Sequence, residues 1–283
     1  MELMNGSTKI LGVIGHPISH TLSPRMHNAA IASLGENYVY LPLPVVPERL
    51  EVALDGLAAI GVVGFNATIP HKEALIPLMA EVTPLASSIG AVNTVWRGDR
   101  GWCGTNTDVA GFIAPLRQIE EELGGKTAVI LGCGGAARAV VAGCRELGYG
   151  KTIVVGRDAA KLASFQRSWR SSPLAIDVEI AMWEDLANLA GVADLLVNTT
   201  PIGMHPQGEN TPMSADILAK IAEGTIVYDL IYKPRPTLFL QLAKERGAIT
   251  LDGLEMLVCQ GATALELWLQ QPVPIDVMKK AII

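Results

Sequence analysis

The segment Gly132-Cys133-Gly134-Gly135-Ala136-Ala137 constrains this chain more than any other. It satisfies G-x-G-x-x-G/A, with Ala137 in the third small position. Residues 127–131 read as a strand before it, 135–147 as a helix after it, and 152–155 as a second strand. Alone the string is weak. Strand, glycine-rich turn, helix and strand in order within about 30 residues supply the context that makes it a dinucleotide-binding signal. The first glycine permits a tight turn, and the second lets the backbone approach a pyrophosphate. The small third residue lets helix and strand pack closely. Phosphate oxygens then meet the free N–H groups of the helix N-terminus. A chain built around such a unit is α/β, with a Rossmann-type, doubly wound sheet.

The remaining sequence repeats the alternation. Residues 9–15, 38–46, 62–69 and 91–96 read as strands, and 24–34, 47–60 and 70–79 as helices. A helix at 107–123 ends at Gly124-Gly125. Later strands are expected at 176–181, 193–199, 225–230 and 248–251, then a last helix at 254–269 and a short tail. Alternation of this kind implies βαβ units and mostly parallel sheets. With 283 residues, one large domain or two smaller ones are possible. The chain is 49% hydrophobic, yet its longest apolar runs, 56–65 and 128–133, are too short to span a bilayer. Doubly covered parallel strands account for that apolar content. A formal net charge of -6 disfavours nucleic-acid binding and leaves a small-molecule substrate as the expected partner. Four scattered cysteines without metal-ligand spacing, and no basic-then-apolar start, point to the cytoplasm.

Cofactor choice is read where the second strand of the dinucleotide unit ends, at Gly156-Arg157-Asp158. Arg157 suits a bidentate phosphate contact, and Lys161 lies one turn on, which favours NADP. Asp158 either caps the next helix or serves ribose hydroxyls. The first part of the chain must supply the substrate site. Thr21 and Ser23 place two hydroxyls before a helix, where a carboxylate ligand would suit them; Ser23 as a plain N-cap before Pro24 is the alternative. Asn66-Ala67-Thr68-Ile69-Pro70-His71-Lys72 puts polar groups at the carboxyl end of a buried strand. Lys72, in the first turn of the expected helix, should lose basicity to the helix dipole and suit acid/base work. Gly90-Ala91-Val92-Asn93-Thr94 and Gly104-Thr105-Asn106-Thr107-Asp108 add an amide and a carboxylate. Asp108 is either an N-cap or the partner that keeps Lys72 charged and oriented. His16, His20 and His27 lack cysteines or carboxylates at ligand spacing, so no metal is expected.

Taken together, these motifs resemble the shikimate/quinate dehydrogenase family over essentially the whole chain. The segments quoted above match in order. So do His20-Thr21-Leu22-Ser23-Pro24, Asn198-Thr199-Thr200-Pro201, Asp229-Leu230-Ile231-Tyr232 and Asp252 to Gln260. The resemblance implies a substrate-binding lobe from residues 1–108, completed by 254–283, and a Rossmann NADP-binding lobe from 109–253. It implies reversible reduction of 3-dehydroshikimate to shikimate by NADPH, in the shikimate pathway to chorismate and the aromatic amino acids. Lys72 and Asp108 would be the catalytic pair, with Lys72 donating the proton. Thr21 and Ser23 would hold the substrate carboxylate. Asn66, Thr68, Asn93, Asp108 and Gln260 would bind its hydroxyls, and Tyr232 would line the pocket. Gly132, Cys133, Gly134, Gly135, Ala136, Gly156, Arg157 and Lys161 would hold the dinucleotide, with Leu230, Gly253 and Met256 bordering the nicotinamide.

Three departures stand out. Thr21 replaces the first serine of the family's Ser-x-Ser, which leaves quinate open as a substrate. Ala67 replaces a usual valine. Gly156-Arg157-Asp158 replaces Asn-Arg-Thr, which leaves NAD open as a second cofactor. A quinate/shikimate dehydrogenase with dual NAD/NADP use, or a non-catalytic metabolite-binding protein of the same fold, are the competing readings. Monomer and homodimer are both compatible with the sequence.

Overall fold

The structure, a computed structural model, describes residues 4–119 and 124–283. In chain order the first elements are β1 (Lys9–Gly15), α1 (Ser23–Leu34), β2 (Tyr38–Pro44), α2 (Leu50–Ala59), β3 (Val62–Ala67), β4 (Glu81–Val82), α3 (Pro84–Ile89), β5 (Thr94–Gly98) and β6 (Gly101–Thr105). Among the described residues these strands form a six-stranded sheet in the order β2-β1-β3-β5-β6-β4. β1 lies between β2 and β3, parallel to both, and its last five residues are buried. Burial on both faces is why it reads as a continuous apolar run rather than an alternating one.

The sheet departs from the expected parallel pattern at β5, which runs antiparallel to β3 and to β6. Asp99 and Arg100 join β5 to β6, and Gly101 takes a φ of 140° that favours glycine. The strand expected at 91–96 therefore starts later, at Thr94, and the hairpin has no place in a βαβ reading.

Residues 70–79 do not form the expected helix. They make separate turns that end in one 3-10 turn, Ile76–Leu78. Pro77 explains this, because it lacks an N–H and its ring would clash with the Glu73 carbonyl in an α-helix. The Glu73 carbonyl instead accepts from Ile76 N at 3.3 Å, and the His71 carbonyl from Leu75 N at 3.0 Å. Without a helix there, the helix dipole invoked for Lys72 has no source. The helix expected at 47–60 opens with a 3-10 turn, Pro47–Arg49, before α2 begins.

The next elements are α4 (Asp108–Leu116), β7 (Thr127–Leu131), α5 (Gly135–Leu147), β8 (Lys151–Gly156), α6 (Ala159–Arg170), β9 (Glu179–Met182), α7 (Leu186–Leu189), β10 (Leu195–Asn198), α8 (Ala215–Leu218), β11 (Ile226–Asp229), α9 (Leu238–Lys244) and β12 (Ile249–Leu251). The helix expected at 107–123 ends at Leu116; residues 120–123 lie outside the described residues. The strands form a second sheet, β12-β11-β10-β7-β8-β9, in which every pairing is parallel. Numbered from β7, this is the doubly wound order 3-2-1-4-5-6, whose strand order reverses between β7 and β10. Val129, Leu131, Val155, Leu196 and Val227 bury one face of the sheet against Phe239, Leu240 and Leu186.

Two helices complete the chain, α10 (Gly253–Leu269) and α11 (Ile275–Lys280), the latter in place of the expected tail. The chain divides into two compact units, one from residues up to Gly111 with Val258–Ile283, the other Phe112–Leu257. In the first unit, Trp268 of α10 donates from Nε1 to the Val95 carbonyl at 2.9 Å. Its indole sits where a Cβ on Gly64 would be, so β3 needs glycine at that position. Among the described residues no helix is long and apolar enough to cross a membrane.

Candidate active site

In the first unit the carboxyl end of β3, the start of β5 and the start of α4 converge. Lys72 Nζ lies 2.5 Å from Asp108 Oδ2. The Asp108 side chain is 9% exposed and that of Lys72 23%, so the pair is largely shielded yet open on the lysine side. Asp108 is the first residue of α4 rather than its cap; its N–H donates to Asn106 Oδ1 at 3.0 Å, and its carboxylate accepts from Lys72 and Asn93. Lys72 is held through its backbone, whose carbonyl accepts from Val92 N at 2.8 Å.

Asn93 determines how Asp108 is held. Its Nδ2 donates to Asp108 Oδ1 at 2.8 Å, and its Oδ1 accepts from Thr107 N at 2.7 Å and Thr94 Oγ1 at 2.9 Å. A backbone N–H only donates and a carboxylate only accepts, so the amide fits in one orientation. Gln260 Oε1, from α10, lies 3.5 Å from Asn93 Nδ2. Behind Asn93 the bonds continue. Asn66 Nδ2 donates to Thr94 Oγ1 at 3.0 Å and to the Asn93 carbonyl at 3.1 Å, while Asn66 Oδ1 accepts from Tyr40 OH at 2.6 Å. Both amide protons of Asn66 are thus engaged within the protein, and it can meet a ligand only as an acceptor.

Tyr40 is fully buried and stacks on His27 with ring centroids 3.9 Å apart. Burial pushes the Tyr40 hydroxyl up and holds the His27 imidazole down at about 4, although backbone bonds to Ser23 and Gly261 oppose the latter. Ser23 is the first residue of α1 rather than its cap, a position held by Leu22 without a side-chain bond. The Ser23 hydroxyl bonds Tyr40, and its N–H lies 3.3 Å from Thr21 Oγ1. Thr68 is half-buried and follows β3, with its N–H on the Ile14 carbonyl at 3.0 Å. Lys72, Asp108, Asn93, Asn66 and Gln260 are therefore brought together, and Ser23 joins them through Tyr40. Thr94 and Thr107 lie inside the sequence motifs at 90–94 and 104–108 with no signal there of the bonds they make. Tyr40 carried no local signal, because its place follows from β1–β2 pairing.

In the second unit the Gly132 loop follows β7. Gly132 has φ 102°, and a Cβ there would lie 2.8 Å from Thr199 Oγ1. A Cβ on Gly134 would meet nothing within 4 Å, so this stretch of backbone is open to a ligand. Gly134 caps α5 without a side-chain bond, which leaves the first-turn N–H groups for a phosphate. Gly135 and Ala136 open the helix, and Ala137 is buried beneath it. Burial raises the Cys133 thiol against the pull of Lys161. Arg157 and Lys161 are exposed just beyond β8, and Gly156 packs on Leu162. These residues fit a dinucleotide with a charged ribose phosphate.

At the ends of β10 and β11, Asp229 is fully buried. Burial pushes its carboxyl up to about 6, although Thr237, Ile231 N and Asn198 donate to it. Asn198 in turn accepts from Thr200 N at 3.0 Å, so one buried pair fixes the loops after both strands. Leu230 belongs to the second of these loops. It is brought against Gly253, where a Cβ would overlap the Leu230 carbonyl. Met256 is buried in the following turn of α10, and burial raises the half-buried Tyr232 hydroxyl.

Comparison with known proteins finds relatives over the whole chain. The shikimate dehydrogenase substrate binding domain matches residues 13–95, and the shikimate 5'-dehydrogenase C-terminal domain matches 253–283. The shikimate dehydrogenase (NADP(+)) of Nostoc sp. (strain PCC 7120) is 57% identical over 283 residues, covering 99% of this chain and 98% of that one. A shikimate dehydrogenase solved in complex with NADP+ superposes with a TM-score of 0.90 at 37% identity, over 99% of this chain and 96% of that one. The Thermus thermophilus shikimate 5-dehydrogenase, in complex with NADP(H) and shikimate, gives 0.85 at 34% identity, over 97% and 98%.

Proposed function

This chain belongs to the shikimate dehydrogenase family, and on that premise we propose that it is the NADP-dependent enzyme that interconverts 3-dehydroshikimate and shikimate. It is an oxidoreductase acting on a CH–OH group in the shikimate pathway, which leads to chorismate and the aromatic amino acids. The observation that carries the reading is the Lys72–Asp108 pair, held in one geometry by Asn93. The first unit binds substrate and the second binds NADP.

When bound, NADPH supplies the hydride that reduces the substrate carbonyl. The chain's own residues do the rest. Lys72, charged beside Asp108, donates a proton to the developing alkoxide and takes it back in the reverse direction. Asp108 keeps the ammonium in place and accepts from a substrate hydroxyl. Thr21 and Ser23 hold the substrate carboxylate, and Asn93, Thr68 and Gln260 bind hydroxyls. Asn66 accepts from one. Tyr232 lines the pocket. Gly132 to Ala136 hold the pyrophosphate, and Arg157 with Lys161 take the ribose phosphate. Gly156 keeps the strand end low against Leu162, while Leu230, Gly253 and Met256 border the nicotinamide. Cys103, Cys133, Cys144 and Cys259 are all free thiols, which suits a reducing cytoplasm.

The test follows nicotinamide absorbance with shikimate or quinate, each paired with NADP+ or NAD+. Shikimate with NADP+ should turn over fastest. Equal rates with quinate or NAD+ would identify the broader enzyme. Shikimate binding without turnover in any pairing would leave a metabolite-binding protein.

A further inference from the structure

The end of β8 carries both the residue that should favour a 2′-phosphate, Arg157, and one that should repel it, Asp158. The structure separates their tasks. Asp158 caps α6, its Oδ1 accepting from Ala160 N at 2.9 Å and Lys161 N at 3.1 Å. That carboxylate is already committed to a helix. Arg157 has a different neighbour. β8 and β9 pair in parallel with Gly156 opposite Met182, so Arg157 and Trp183 leave the carboxyl edge of the sheet side by side. The Arg157 guanidinium carbon lies 5.9 Å from the centroid of the Trp183 ring.

Trp183 is itself pinned. It opens the 3-10 turn Trp183–Asp185, and Asp185 Oδ2 accepts from Met182 N at 3.2 Å. Among the described residues no carboxylate pairs with Arg157 or Lys161, so both charges remain available to an anion. The ring face attracts the cation while leaving the in-plane N–H fork open, and that fork is what binds a phosphate.

Resting on the dinucleotide reading of this unit, we infer that Trp183 is a specificity-determining residue for NADP over NAD, acting by holding Arg157 ready for the 2′-phosphate. A ring that instead carried the adenine would serve both dinucleotides equally. The distinction can be measured by binding, without turnover. Dissociation constants for NADP+ and NAD+ are taken by calorimetry on the full chain. Wild type is compared with Trp183→Leu, which keeps bulk, and Trp183→Phe, which keeps a ring face. Trp183→Leu should weaken NADP+ by about 3- to 5-fold and leave NAD+ unchanged, with Trp183→Phe close to wild type. In an Arg157→Gln background, Trp183→Leu should have no further effect. Equal weakening of both dinucleotides, no change in either, or the same loss in Arg157→Gln would overturn the inference. Wild-type protein that binds neither dinucleotide would overturn the reading beneath it as well.

Discussion

Replacing Thr94 by valine removes one oxygen from the centre of the polar network and little volume. Thr94 is fully buried, and its Oγ1 accepts from Asn66 Nδ2 and donates to Asn93 Oδ1. In Thr94→Val, Asn66 keeps only the Asn93 carbonyl for its two amide protons. Asn93 Oδ1 keeps the Thr107 N–H and hydroxyl. One buried donor is left unmade, which costs about 1–3 kcal/mol of stability. The catalytic effect passes through Asn93, which loses one of the bonds that fix its Nδ2 on Asp108. If looser placement of Asp108 gives up about 1.4 kcal/mol of transition-state stabilisation, kcat falls about ten-fold. The assay is steady-state turnover of shikimate and NADP+ with a thermal melt on the same samples. The KM for NADP+ should hold, because Thr94 lies in the other unit. Thr94→Ser, which restores the oxygen, should recover most of kcat. If Thr94→Val melts earlier yet turns over at the wild-type rate, the network supports the fold alone and the reasoning fails.

Lys72→Ala should lower kcat by about 10²–10⁴-fold, the usual worth of a general acid, while shikimate affinity by calorimetry stays nearly intact. Equal loss of both would make Lys72 a binding residue only. Gly253→Ala forces a methyl into the Leu230 carbonyl, so the KM for NADP+ should rise more than that for shikimate. Selective damage to shikimate binding would contradict this. His27 is held at about 4 against an ordinary 6.5, so the unfolded chain takes up a proton near pH 6.5 that the folded chain refuses. Stability present above pH 6.5 is therefore lost as pH falls toward 4, by about 3 kcal/mol at the limit. An NMR titration showing the His27 ring ionising near 6.5 in the folded protein would refute it.

How legible the sequence was differs between the two units. In the second, Gly132 to Ala137 specified the turn, and the parallel sense followed from alternation, because the central strands β7, β8, β10 and β11 are buried along nearly their whole length. In the first, Pro77 broke a helix whose apolar spacing looked intact, and β5 and β6 hid a hairpin among segments that matched βαβ units. The site shows the same division. Lys72 and Asp108 were visible as polar residues at element ends. Their geometry comes from Asn93, Thr94 and Thr107, whose amide and hydroxyl bonds exist only once β5 lies beside β3 and β6. Trp183 next to Arg157 was invisible for a similar reason: strand register across β8 and β9 joins residues with no pattern linking them in sequence.

The indole of Trp268 against Gly64 has a consequence for the order in which the molecule is made. The sheet beside Lys72 and Asp108 is translated by residue 105, but the helix that closes over it is made only after the Phe112–Leu257 unit. Gln271, which donates to Glu36 at 2.6 Å, arrives later still. The Phe112–Leu257 unit is continuous in sequence and can fold as soon as it emerges. The first unit must wait with its apolar face uncovered until that whole insert has been synthesised. A chain cut short within that insert therefore leaves the sheet of the first unit without the helix that covers Gly64.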